Sequence, residues 1–291
     1  MEIDRRSLLK TILVGGAFLA AGVPLRTTGE STAKPRGPVL LVIGGSRRDA
    51  AFATGAQAVA RMAGKKTVPV YKLDGRFGPD SDLISALFYP RRQTRIIGIM
   101  DDGMYTIFHE LVRAADVCLV CLGRHGYGGN MAFTHRHTML SALSGQSIAA
   151  AVASQLSLID QNFLVSETVL DNRSATNVAG NSTLPGFTSY RVTGDRPVRL
   201  HLSGLSLSEA CGVFGLSLAR VTHCATSVVY HPQRIAPSAN WYELLGQTVM
   251  QAGIGVQPSQ LTSGSQVFLH RGSAVGRMSP AETFVTFVMD V

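Results

Sequence analysis

From Pro38 onward, short apolar runs rich in β-branched residues alternate with segments of helical periodicity. This alternation constrains the fold more than any other feature of the chain. Val39–Ile43, closed by Gly44-Gly45-Ser46, reads as a strand covered on both faces. Asp49–Ala63 carries Ala, Phe, Val and Met at helical spacing and stops at Gly64. Thr67–Leu73, Arg95–Met100 and Val117–Leu122 read as three further strands, with Asp80–Phe88 and the amphipathic Tyr105–Ala115 as helices between them. A β-α-β-α-β-α-β order with short connections predicts an α/β fold: a doubly wound, mostly parallel, Rossmann-like sheet with helices on both faces. Val39–Ile43, Arg95–Met100 and Val117–Leu122 are expected as neighbouring parallel strands.

The pattern continues less regularly. Gly123–Thr138 reads as a Gly-rich loop, Ser141–Leu158 as a small-residue helix and Phe163–Val169 as a fifth strand. Asp171–Pro185 is polar and aperiodic, hence a long exposed loop and the best internal boundary. Beyond it, Val198–Leu202, Ala225–Tyr230, Val267–His270 and Thr283–Met289 read as strands, and Leu207–Ala219 and Trp241–Gln251 as helices. The expected organisation is a leader and linker over residues 1–36, a Rossmann-like domain over 37–170, and a second α/β part over 186–291. That second part either extends the same sheet or forms a smaller lobe.

Ahead of these elements stands Asp4-Arg5-Arg6-Ser7-Leu8-Leu9-Lys10, followed by the mildly apolar run Thr11–Leu25 and a polar linker. The run is short for a membrane span and suits the apolar region of a signal peptide. The segment resembles a twin-arginine (Tat) export signal. That resemblance implies a periplasmic protein exported already folded, for the sake of a cofactor, a partner carried along or a fold that closes too quickly for threading, and anchored to the membrane only if the signal stays uncleaved. It identifies no particular cofactor.

The formal net charge is +8, and residues 1–36 hold six basic and three acidic side chains, so the remainder carries +5. The arginines are scattered, without an aromatic-interleaved basic run, which argues against nucleic acid. A modest positive excess fits an anionic small molecule or an acidic protein partner. Cys118 and Cys121 form a C-x-x-C, but within a strand they fall on opposite faces and read as buried apolar thiols rather than a redox pair.

In a doubly wound sheet, ligands bind beyond the carboxyl ends of the strands. Those ends offer Gly45, Ser46, Arg47 and Arg48 after the first strand, Asp101 and Asp102 after the third, and Arg124 and His125 after the fourth. These residues are the candidate ligand-binding set. Gly44-Gly45-Ser46 opens a helix whose backbone N–H groups suit a carboxylate or phosphate; a simple strand-to-helix turn is the plainer explanation. Ser46 lacks the G-x-S-x-G elbow of a serine nucleophile. Asp101 and Asp102 suit a base or a metal, or the N-cap of the next helix. His125 and His135 are the catalytic candidates, as acid or base. His135 and His137 flank Arg136 and would share a face if extended, as a pair of metal ligands does, with His125 or Asp101 as a third. The same His-Arg-His also suits an anion-binding surface or a solvated loop.

No motif names a reaction or a cofactor. The residues support an exported accessory or ligand-binding protein that works with a periplasmic enzyme or respiratory complex. The alternative is a hydrolase or transferase for an anionic small molecule, with Arg47, Arg48 and Arg124 as clamps. A nucleotide-cofactor reading lacks its G-x-G-x-x-G.

Overall fold

The computed structural model describes residues 38–65, 67–73, 94–113, 117–127, 135–141, 148–157, 162–169, 187–193, 198–223, 240–255 and 282–291. The N-terminal segment, Asp80–Phe88, Asp171–Pro185, Ala225–Tyr230, Val267–His270 and Cys224 lie outside them.

The strands are β1 (Val39–Ile43), β2 (Val70–Lys72), β3 (Arg95–Asp101), β4 (Cys118–Tyr127), β5 (His135–Ser141), β6 (Phe163–Val169), β7 (Thr188–Val192), β8 (Val198–Ser203), β9 (Val221–His223) and β10 (Glu282–Asp290). The helices are α1 (Arg47–Met62), α2 (Asp102–Arg113), α3 (Ile148–Leu156), α4 (Leu207–Phe214) and α5 (Trp241–Gly255). Among the described residues no helix is long and apolar enough to cross a membrane.

The strands form one sheet in the order β2-β1-β3-β10-β4-β5-β6-β8-β7-β9. Only β1/β2, β1/β3 and β5/β6 pair in parallel; the other six neighbouring pairs are antiparallel. The Rossmann-like, mostly parallel expectation is therefore corrected: this is an α/β fold on a mixed, mostly antiparallel sheet. β1 and β3 are parallel neighbours as expected, but β4 is not their neighbour, because β10 lies between β3 and β4 and opposes both. The physical reason is that a strand buried on both faces reads as a continuous apolar run whichever way its neighbours point. The Gly123–Thr138 loop is corrected too. β4 runs on to Tyr127 and pairs with β5 from Tyr127↔His135 to Cys121↔Ser141. The helix expected from Ser141 begins at Ile148, and α4 ends at Phe214, where Gly215 takes a left-handed φ of 63°.

Three cores flank the sheet. The largest lies between it and α1, α3 and α5, and includes Leu41, Ile97, Phe163, Phe284 and Val288 from the strands. On the opposite face a second core joins Leu40, Ile96, Val285 and Phe287 to Phe108 of α2, and a third joins Leu164, Leu200 and Leu202 to Phe214 of α4. α1 and α5 cross with Gly55 against the Glu243 backbone and Gly246 against the Phe52 backbone, so any larger residue there would force the helices apart.

Two interactions fasten β10. Gly98 of β3 faces Phe287 directly, and the Phe287 ring fills the space a Cβ at Gly98 would need. That ring stacks on Phe108 at 5.2 Å. At the other end Arg95, fully buried, grips Asp290 through Nε (2.7 Å) and Nη2 (2.8 Å) and donates Nη1 to the Gly253 carbonyl of α5 at 2.5 Å. A two-pronged bond of this kind satisfies the guanidinium that burial would otherwise strand. Asp290→Asn is therefore expected to lower the unfolding free energy by about 3 kcal/mol, read by urea denaturation. A loss under about 0.5 kcal/mol, the range of an ordinary surface change, would show that the pair does not hold the strand.

Candidate functional site

β1, β3 and β4 point the same way, so their carboxyl ends share one edge of the sheet, where β10 begins. The sheet divides the residues found there between its two faces.

On the α1 and α5 face, Ser46 caps α1. Its hydroxyl accepts from the Asp49 N–H and its own N–H donates to the Asp49 carboxylate, both at 3.1 Å. Asp49 is buried and pairs with Arg48 at 2.9 Å. The Arg48 guanidinium lies over the Phe284 ring at 4.7 Å. Gly45 and Arg47 are exposed at the helix start. The anion-like group at this helix N-terminus is thus the chain's own Asp49 carboxylate.

His125 is fully buried beside these residues. Its ring stacks on Phe284, and its Nδ1 meets the Nδ1 of the equally buried His137 at 3.0 Å. Its Nε2 meets the Thr286 hydroxyl at 2.7 Å. Two facing ring nitrogens share one proton, so one ring donates and the other accepts. Trp241 of α5 covers the His137 ring at a centroid distance of 4.9 Å. Gly123 makes the arrangement possible, since a Cβ there would stand 2.6 Å from His125 Nε2. As placed, His125 has neither an unengaged ring nitrogen nor exposed surface with which to meet a substrate. His135 lies on β5 two residues before His137, and its side chain falls outside the described residues. Among the described residues no group of three or more His, Cys, Asp or Glu is placed to hold a metal ion.

On the other face, Asp101 caps α2, its Oδ1 accepting from the Met104 N–H at 2.7 Å. Asp102 pairs with Arg124 at 2.8 Å, both side chains substantially exposed. Arg124 and His125 therefore serve opposite faces, as adjacent residues of a strand must.

Sequence reasoning missed a further set of buried polar groups under α3. Glu167 of β6 is fully buried and meets Arg199 of β8 at 3.5 Å. His201, two residues on, is buried and bonded through Nδ1 to the Ser189 hydroxyl at 2.8 Å. The alternating Arg199 and His201 were the available signal: a strand that puts polar side chains on one face either exposes that face or pairs them within it. Cys118 is exposed and Cys121 buried, and burial raises the Cys121 pKa, leaving it inert.

Burial, and after it the Arg199 charge, lower the His201 pKa to about 3. In the unfolded chain the ring titrates near ~6.5. Below that pH the unfolded chain takes up a proton that the folded protein refuses. The stability contributed by the neutral ring is complete above about pH 6.5 and is lost as pH falls toward 3, by up to about 1.4 kcal/mol per pH unit. His201→Asn keeps a polar partner for Ser189 without titrating, so its unfolding free energy should fall less steeply over that window. Parallel slopes for the two proteins in pH-dependent urea denaturation would contradict this. No protein-family model matches this chain, and no curated protein or solved structure matches it.

Proposed function

We propose that this chain is a non-catalytic binding protein, exported to the periplasm and acting there as an accessory to a partner enzyme. One observation carries the reading. Among the described side chains at the strand ends, those suited to catalysis are engaged by the fold: both ring nitrogens of His125, the Ser46 hydroxyl and an Asp101 carboxylate oxygen each complete an internal hydrogen bond. An enzyme would need one of them aimed at a substrate. Export rests on the sequence, on the paired Arg5-Arg6 ahead of an apolar run of signal length.

Full-length protein purified from its native cells is expected in the periplasm with a stoichiometric partner or bound small molecule, and Arg5→Lys with Arg6→Lys should leave folded protein in the cytoplasm. Normal export of that double variant contradicts the route. Purification of the protein alone and empty, with substrate turnover lost on His125→Gln, contradicts the binding role.

A further inference from the structure

The face of the sheet opposite α1, α3 and α5 is covered by α2 at one end and by α4 at the other, and the register shows what lies between. Val285 of β10, Arg124 of β4, Thr138 of β5, Ser166 of β6 and Leu200 of β8 stand side by side in one row. Val285 belongs to the core under α2 and Leu200 to the core under α4. The row is thus apolar at both ends and polar in the middle. In the next row of the same face Arg136 of β5 sits opposite Gly126 of β4, diagonal to Arg124. Such diagonal neighbours are within reach of long side chains.

Arg124 and Arg136 sense each other. Burial and the Arg124 charge together lower the Arg136 pKa. Like charges on adjacent strands are destabilising, and among the described residues only one of them is offset. Asp102 pairs with Arg124, while among the described residues no carboxylate pairs with Arg136. Arg136 is instead held by the Phe214 ring, 5.3 Å from its guanidinium carbon, and by the Val213 carbonyl at 3.5 Å. These contacts fix its position without neutralising it. The register sets Arg124 and Arg136 on one face with the hydroxyl residues Thr138 and Ser166, and among the described residues only Arg124 has a carboxylate partner, an arrangement that a multiply charged oxyanion would complete.

We propose that this strip binds a phosphate-type oxyanion between Arg124 and Arg136, with the hydroxyls of Thr138 and Ser166 on its floor. The donors outnumber what the two oxygens of a carboxylate can use, which favours phosphate. The inference rests on the reading of the chain as a binding protein and supplies its ligand class. Asp102 then competes with the ligand for Arg124, so removing its charge should improve binding.

Titration calorimetry of the full-length protein with inorganic phosphate tests this. One phosphate per chain is expected, with affinity falling as salt is raised. Acetate should bind at least about tenfold more weakly, because it forms fewer charge-assisted hydrogen bonds. Arg136→Gln should weaken phosphate binding by about tenfold or more, and Asp102→Asn, an exposed change that leaves the cores intact, should tighten it by about two- to fivefold. Phosphate binding that ignores both substitutions, tighter binding of acetate, or weaker binding by Asp102→Asn overturns the site. So does a protein that co-purifies with a partner yet binds no phosphate, and in that case the accessory reading stands. Neither phosphate binding nor a co-purifying partner overturns both.

Discussion

The insertion of β10 between β3 and β4 is the constraint on which the rest of the structure depends. The last strand of the chain supplies the middle of the sheet, opposing β3 on one side and β4 on the other. Without it the parallel β2-β1-β3 unit and the mixed, mostly antiparallel β4-to-β9 unit would each present an open, apolar edge, a configuration that invites misassociation. Phe284, Val285, Phe287, Val288 and Met289 are all buried, and each contributes about 1.5–3 kcal/mol on transfer out of water. Their side chains alternate between the α1/α5 core and the α2 core, so β10 ties together the two faces as well as the two halves. The Phe287 ring over Gly98 and the Arg95–Asp290 pair fix its register.

Much of the secondary structure was legible in the residues. Val39–Ile43 and Phe163–Val169 stand where the apolar runs placed them, and α1, α2 and α5 follow their periodicity. Strand direction was not legible. β1 and β3 are linked by a crossover that sequence order reveals, but nothing local to Thr283–Met289 tells that it inserts between strands some 180 residues away. β5 and β7 were missed because His135-Arg136-His137 and Thr188-Ser189-Tyr190 lack apolar alternation. Arg136, His137, Thr188, Ser189 and Tyr190 are buried or half-buried within the fold, a tertiary effect that outweighs local preference.

The same misreading blurred the candidate site. Treated as a loop, Arg124 and His125 have no defined direction; on a strand they separate cleanly. One joins the solvent-facing strip with Arg136 and Asp102, and the other joins the buried pair beneath Trp241. The residue types at the strand ends were visible beforehand, yet their division between an internal hydrogen-bond array and the polar row of the opposite face is set by β-strand alternation and by which helices cover which rows. The internal array confers conformational specificity on the interior of the sheet, while on the opposite face Arg136 has no carboxylate partner among the described residues.

Amide hydrogen exchange of the full-length protein tests the central place of β10 most directly. If the strand holds the two halves of the sheet together, the amides of Val285–Val288 should exchange only through global unfolding, as slowly as those of Leu40–Val42 and Ile96–Ile99. Faster exchange in β10 than in β1 and β3, with those two strands still protected, would show that the sheet stands without its last strand and would contradict this account.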